Sequence, residues 1–242
     1  MTPLFTNLPQ HLAGAVAHFW RTREKQTKKQ KLSGQADQGA RSAVTGGAQM
    51  DGFIDLLTKV IVEAGVDESC VFHSAYLELP GFFRPTKEWD LLVVKNEQLV
   101  ISLEAKSQVG PSFGNNFNNR TEEAIGSAVD RWTAFREGAL NKTTQPWLGY
   151  VFLLEDCPAS RRPTSVREPH FEVFPEFKGA SYAKRYEIFC RKLVRERHYS
   201  CAAFLTSEKS TGSSGLYKEP AADLTFESFL RSLQAHAAAW GQ

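Results

Sequence analysis

Two short apolar segments lie close together in this chain and carry charges that a buried strand has no use for. Glu88 to Lys95 (EWDLLVVK) and Leu99 to Lys106 (LVISLEAK) are separated only by Asn96-Glu97-Gln98, so they read as two strands of a hairpin inside a covered sheet. Burying Asp90, Glu104 and Lys106 there is costly unless the three are partners. Residues two apart on a strand share a face, so Glu104 and Lys106 project together while Leu103 and Ala105 face the opposite layer. A three-residue loop pairs Lys95 with Leu99 and, counting back, Asp90 with Glu104, which sets their β-carbons about 4.5–5.5 Å apart on one face. An even-length loop puts the two carboxylates on opposite faces.

Two carboxylates so placed mount a hard divalent cation with a preference for oxygen, Mg²⁺ above all, which makes Asp90 and Glu104 the metal-ligand candidates. Lys106 can hold a phosphate oxygen or help position and deprotonate an attacking water. An ion on the scissile phosphate, an activated water and an ammonium beside them are what phosphodiester hydrolysis requires. The competing reading is an ion-pair cluster that closes one end of a sheet. A second acid-x-Lys triplet, Glu176-Phe177-Lys178 with Asp156 upstream, follows a proline in a segment without a clean strand, and context favours the first.

Around the hairpin the chain alternates helix and strand. A helix over 8–31 is apolar at Leu12, Val16 and Phe19-Trp20 and ends in a basic tail from Arg21 to Lys31; residues 32–48 read as a long loop. A second helix starts near Met50 and runs to Gly65. Cys70 to Leu79 alternates loosely and makes a three-stranded meander with the hairpin. After it come a helix from about Arg120 to Glu137 with Ile125, Val129, Trp132 and Phe135 inward, a buried-type strand from Trp147 to Leu154, a basic helix from Tyr182 to Arg197, a strand from Cys201 to Leu205 and a helix from Thr225 to Trp240. The order gives an α/β fold, a mixed central sheet with helices on its faces. A chain of 242 residues suffices for one domain: a helical part over 1–66, a core over about 67–206 and a C-terminal helix over 225–240.

The loop between hairpin and helix, Gly110 to Arg120 (GPSFGNNFNNR), concentrates Asn115, Asn116, Asn118, Asn119 and Arg120. Side-chain amides and arginine make bidentate hydrogen bonds to base edges, and a helix N-terminus accepts phosphate; the local alternative is a turn capped by Asn119. Twenty-nine Lys plus Arg against 27 Asp plus Glu leave a net charge of +2, which excludes a nonspecific polycation and leaves any nucleic-acid contact to local charge. Basic residues concentrate in Arg21–Lys31 and Arg161–Arg197, as solvated faces or as phosphate contacts. The histidines lack HxH or HExxH spacing and the cysteines lack CxxC spacing. With no apolar run near the ~18 residues of a membrane span and no secretory signal, the expectation is a cytoplasmic protein.

The run from Pro80 to Leu140, especially PGFFRPTKEWDLLVV and ISLEAKSQVGPSFGNNFNNRTEEAIGSAVDRWTAFREGAL, with the upstream AVTGGAQMDGF, resembles the XhoI family of type II restriction endonucleases. The resemblance implies a restriction-endonuclease-like, PD-(D/E)xK nuclease fold acting on double-stranded DNA as a homodimer with Mg²⁺, cutting the palindrome CTCGAG to leave 5′ overhangs. It places the motif's acids on Asp90 and Glu104 and its lysine on Lys106. The usual proline before the aspartate is replaced by Trp89, with Pro85 upstream. An acid on the preceding helix, frequent in this fold, falls on Asp51 or Glu63, Asp51 being preferred. Such an enzyme calls for a matching DNA methyltransferase in the same cell. The rival readings are a repair or junction-resolving nuclease of the same fold and a non-catalytic DNA-binding module.

Overall fold

A computed structural model describes residues 3–32, 47–141 and 144–241. Most of the long loop read over 32–48, and the side chains of residues 29–32 in the basic tail, lie outside the described residues. Helices α1 (Leu8–Leu32) and α2 (Asp51–Glu63) precede strands β1 (Val71–Phe72), β2 (Glu78–Pro80), β3 (Thr86–Glu88), β4 (Leu91–Lys95) and β5 (Gln98–Gln108). Helix α3 (Phe113–Arg136) then leads to β6 (Trp147–Glu155), α4 (Tyr182–Arg195) to β7 (Cys201–Ser207), and α5 (Phe226–Ala238) follows.

The main sheet has the order β1-β4-β5-β6-β7. A tight turn makes β4 and β5 antiparallel, whereas α3 and α4 serve as the crossovers that make β5, β6 and β7 parallel. The result is the mixed α/β sheet predicted. Phe19, Phe53, Leu57 and Phe229 of α1, α2 and α5 cover one face over Leu91, Val93, Ile101 and Leu103. Ala128, Tyr186, Phe189 and Leu193 of α3 and α4 cover the other over Leu92, Tyr150, Phe152 and Phe204. Coverage on both faces explains why Trp147 to Leu154 is apolar without alternation and buried throughout.

Three features, two of them in α3, differ from the sequence expectation. Residues 70–79 form two strands: β1 stays at the edge of the main sheet while β2 pairs with β3 in a separate ribbon. Tyr76 between them has φ 57°, a left-handed turn that no continuous strand accommodates. Helix α3 begins at Phe113 rather than near Arg120, so the amide-rich segment is helical. Phe113 and Phe117, one turn apart, pack on Tyr182 and Tyr186 of α4, and that contact outweighs the poor helix propensity of Gly and Asn. Ala124, Ser127, Ala128, Arg131 and Ala134 of α3 are buried and Trp132 and Phe135 pack half-buried on the core as expected, whereas Ile125 and Val129 stand exposed. The small side chains fit against the sheet, and the helix is rotated accordingly.

Candidate active site

The hairpin sets the site, by a route other than the three-residue loop expected. Its turn holds two residues, Asn96 and Glu97, both with positive φ, and Lys95 pairs with Gln98. Such a turn matches the twist of a two-residue hairpin, and alone it would send Asp90 and Glu104 to opposite faces. The register shifts between Val93 and Val94: Val94 pairs with Leu99 but Val93 pairs with Ile101, which leaves Val100 as the extra residue of a β-bulge. Beyond it Leu91 faces Leu103, so Asp90 and Glu104 are opposite after all. The odd residue sits in the strand instead of the loop.

At the foot of β4 the ladder ends and Asp90 takes over. Its N–H donates to Leu103 O at 3.1 Å, and its Oδ2 accepts the Ala105 N–H at 2.8 Å. Glu104 is buried below it. The Lys106 ammonium bridges the two, 3.1 Å from Asp90 Oδ2 and 3.2 Å from Glu104 Oε1. Burial pushes the Glu104 carboxyl up, and the ammoniums of Lys106 and Lys87 outweigh it, so that the group titrates below the ordinary range. Burial works against the Lys106 ammonium too, but Glu104 and then Asp90 hold its proton more firmly than in water. The Lys106 ammonium and the Glu104 carboxylate thus stabilise each other's charge, with Glu104 buried and Asp90 at the more open end of the cluster.

The oxygen donors on one face, already gathered around an ammonium, suit a hard divalent ion that keeps water among its ligands. Among the described residues no cluster of three or more His, Cys, Asp or Glu is placed to hold a metal, so the other ligands of such an ion would come from water and substrate. Asp90 and Lys106 open on a cleft of about 810 Å³. Asp51, at the start of α2, and Arg120 line the same cleft, together with Asp55, Glu88, His18 and His73. Asn115, Asn118 and Asn119 are exposed on the first turns of α3 and Asn116 is half-buried; none of the four borders the cleft. Arg120 is held by Glu123 at 2.7 Å.

The rival triplet is not assembled. Glu176 and Lys178 lie exposed around a 3₁₀ turn; Lys178 pairs with Glu168 and Glu172, while Asp156 pairs with Lys218 and Arg161. The basic helix α4 is largely self-neutralised: Lys184 and Arg191 bind Glu187, Arg191 also binds Asp223, and Lys192 reaches Glu196.

Two groups on Glu104 escape a reading of the sequence. Lys87 of β3 places its ammonium 3.1 Å from Glu104 Oε1 and 2.9 Å from Glu88 O, over the face of Trp89. The buried Tyr199, just before β7, donates its hydroxyl to Glu104 Oε2 at 3.1 Å, with Ala124 O equally near. Burial and then the Glu104 charge keep that phenol protonated. Strand alternation turns Lys87 inward between exposed Thr86 and Glu88, but with all three residues polar nothing in the sequence marks which of them does so. Nothing local singles out Tyr199.

A model of the family described as restriction endonuclease XhoI matches residues 29–219, a span that contains the hairpin, the cleft acids and both crossovers. The chain belongs to the XhoI family of restriction endonucleases. Among curated relatives in this family, the type II restriction enzyme BstVI of Geobacillus stearothermophilus is 58% identical over 207 residues, covering 84% of this chain and 92% of the relative. The type II restriction enzyme XhoI of Xanthomonas vasicola is 48% identical over 181 residues, 74% of this chain and 72% of the relative. AbrI of Azospirillum brasilense is 51% identical over 158 residues, 65% and 71% respectively. No solved structure matches the chain. Membership in the XhoI family agrees with the mixed sheet and its flanking helices, a restriction-endonuclease-like fold, and no helix among the described residues is long and apolar enough to cross a membrane.

Proposed function

We propose that this chain, as a single nuclease domain, is a type II restriction endonuclease that makes Mg²⁺-dependent double-strand cuts at CTCGAG as a homodimer. The observation that carries the reading is the bridge of Lys106 between Asp90 Oδ2 and the buried Glu104 Oε1, with Asp90 and Lys106 lining an open cleft. Asp90 and Glu104 would hold the Mg²⁺, which when bound supplies positive charge against the scissile phosphate and acidifies water. Lys106, released toward the cleft, holds a phosphate oxygen and the attacking water in line. Asp51 stands across the cleft as an accepting group for a proton or an ordered water. Arg120 and the exposed asparagines of α3 offer donors to the duplex. A twofold palindrome read by one kind of chain calls for C₂ symmetry, and a cell carrying the activity needs a methyltransferase that protects its own sites.

Incubation of the protein with a long DNA of known sequence and Mg²⁺ tests the whole reading. Discrete fragments ending at CTCGAG are expected, and none in EDTA. Asp90→Ala, Glu104→Gln and Lys106→Ala should each abolish cutting. A smear, branch-dependent cutting, or full activity in any of the three variants would refute it.

A further inference from the structure

Glu104 Oε1 carries two ammoniums, and they are not equivalent. Among the described residues Lys106 is paired with the two carboxylate oxygens alone, 3.1 and 3.2 Å away, on the two residues that would hold a divalent ion. Lys87 is anchored independently of them: Glu88 O accepts from it at 2.9 Å and the Trp89 ring lies 4.3 Å below. Its backbone is fixed as well. The β2–β3 ribbon pairs Leu79 with Lys87, the Trp89 N–H donates to Leu77 O, and the ribbon tip is pinned to α3 through Asp130, which accepts from Phe82 N, Phe83 N and Arg84 Nε at 2.7, 2.7 and 2.8 Å. Displacement of Lys106 would leave these anchors of Lys87 intact.

Asp90, Glu104, Lys87 and Lys106 sum to zero charge, so a divalent ion that displaces Lys106 still meets a fixed positive charge on the same oxygen. Even at the dielectric of bulk water, a unit charge about 5 Å from a divalent ion alters affinity by roughly tenfold or more. The scissile phosphate brings the opposite charge to the same place. We propose that Lys87 is a positioning residue that fixes the Glu104 carboxylate and, by its charge, keeps the site weak for divalent ions until DNA is bound. This rests on the assignment of Asp90 and Glu104 as ligands.

The test is Mn²⁺ binding to the full-length protein, followed by electron paramagnetic resonance without any cleavage assay. Without DNA, Lys87→Met should bind Mn²⁺ at least about tenfold more tightly than wild type, whereas Lys87→Arg should remain near wild type. A folded Lys87→Met protein that binds no more tightly overturns the proposal. The wild type gives an arm that does not depend on the folding of a variant: a charged but cleavage-resistant phosphorothioate duplex should strengthen Mn²⁺ binding, and equal affinity with and without it also overturns the proposal. Glu104→Ala separates the two levels, because Mn²⁺ binding undiminished in that variant overturns the ligand assignment and the role of Lys87 together. Loss of binding in Glu104→Ala with no gain in Lys87→Met leaves the ligands in place and removes only the role of Lys87.

Discussion

Replacing Glu104 by alanine should cost stability as well as activity, and the size of the loss follows from its partners. The carboxylate is 3% exposed and accepts from Lys87, Lys106 and Tyr199. After truncation Lys106 keeps Asp90, and the Tyr199 hydroxyl keeps Ala124 O. Lys87, whose side chain is 12% exposed, retains a carbonyl and a ring face but no counter-charge. Breaking a buried pair from one side costs about 3–5 kcal/mol; with two of three partners reassigned, the low end applies, about 3 kcal/mol. For a chain of this size that lowers the melting temperature by roughly 6–12 °C. Glutamine keeps the shape and one acceptor, so its cost should be about 1–2 kcal/mol. Asp90→Ala, at a more exposed carboxylate, should cost about 1 kcal/mol. Urea unfolding in EDTA, followed by tryptophan fluorescence, measures all three. The order also depends on pH: a carboxylate held below its ordinary range contributes fully above that range and loses its contribution as pH falls through it, so wild type and Glu104→Gln should converge in acid. A Glu104→Ala protein as stable as wild type at neutral pH would show that Lys87 relaxes into solvent, and the reasoning would fail.

Asp130→Ala removes the acceptor of the ribbon tip; it should lose about 2–3 kcal/mol and expose the bonds after Phe82 and Phe83 to chymotrypsin, with Asp130→Asn intermediate. Asp51→Asn, at an exposed position, should leave stability within about 0.5 kcal/mol while cutting cleavage at least about tenfold; unchanged cleavage removes Asp51 from the site. His236, lowered by burial although its ring meets Val100 O, is protonated in the unfolded chain before the folded one. Stability should therefore decline as pH falls below about 6.5, and His236→Gln should flatten that limb in urea titrations.

The facing of Asp90, Glu104 and Lys106 was readable because strand periodicity is strict and buried charges need company. The pairing agrees with the structure although the turn does not: the stretch between Lys95 and Ile101 can be spent as a three-residue loop or as a two-residue turn plus a bulge at Val100, and local sequence does not choose. Here the left-handed pair Asn96-Glu97 settles it in favour of the turn. The sequence places the start of α3 too late because the contact that forms it, Phe113 and Phe117 on Tyr182 and Tyr186, joins segments about seventy residues apart. Tyr199 was invisible for the same reason, reaching Glu104 across 95 positions. Lys87 belongs to a ribbon that exists only because the run from Cys70 to Leu79 breaks at Tyr76.

The bulge at Val100 separates two things that a sequence pattern tends to fuse, the interval between the acids and the side on which they emerge. Thirteen residues lie between Asp90 and Glu104, but the ladder would bring them opposite with twelve if Val100 were absent and the two-residue turn kept. It would do so again with thirteen if the spare residue moved to the turn. Interval length is therefore negotiable in engineered variants of this hairpin, whereas the facing is not. A deletion confined to Val100 should cost core packing and spare the acid pair; removing one turn residue should do the reverse unless the strand supplies a new irregularity. Searches for distant members of the family gain by letting that spacing float and scoring the face instead.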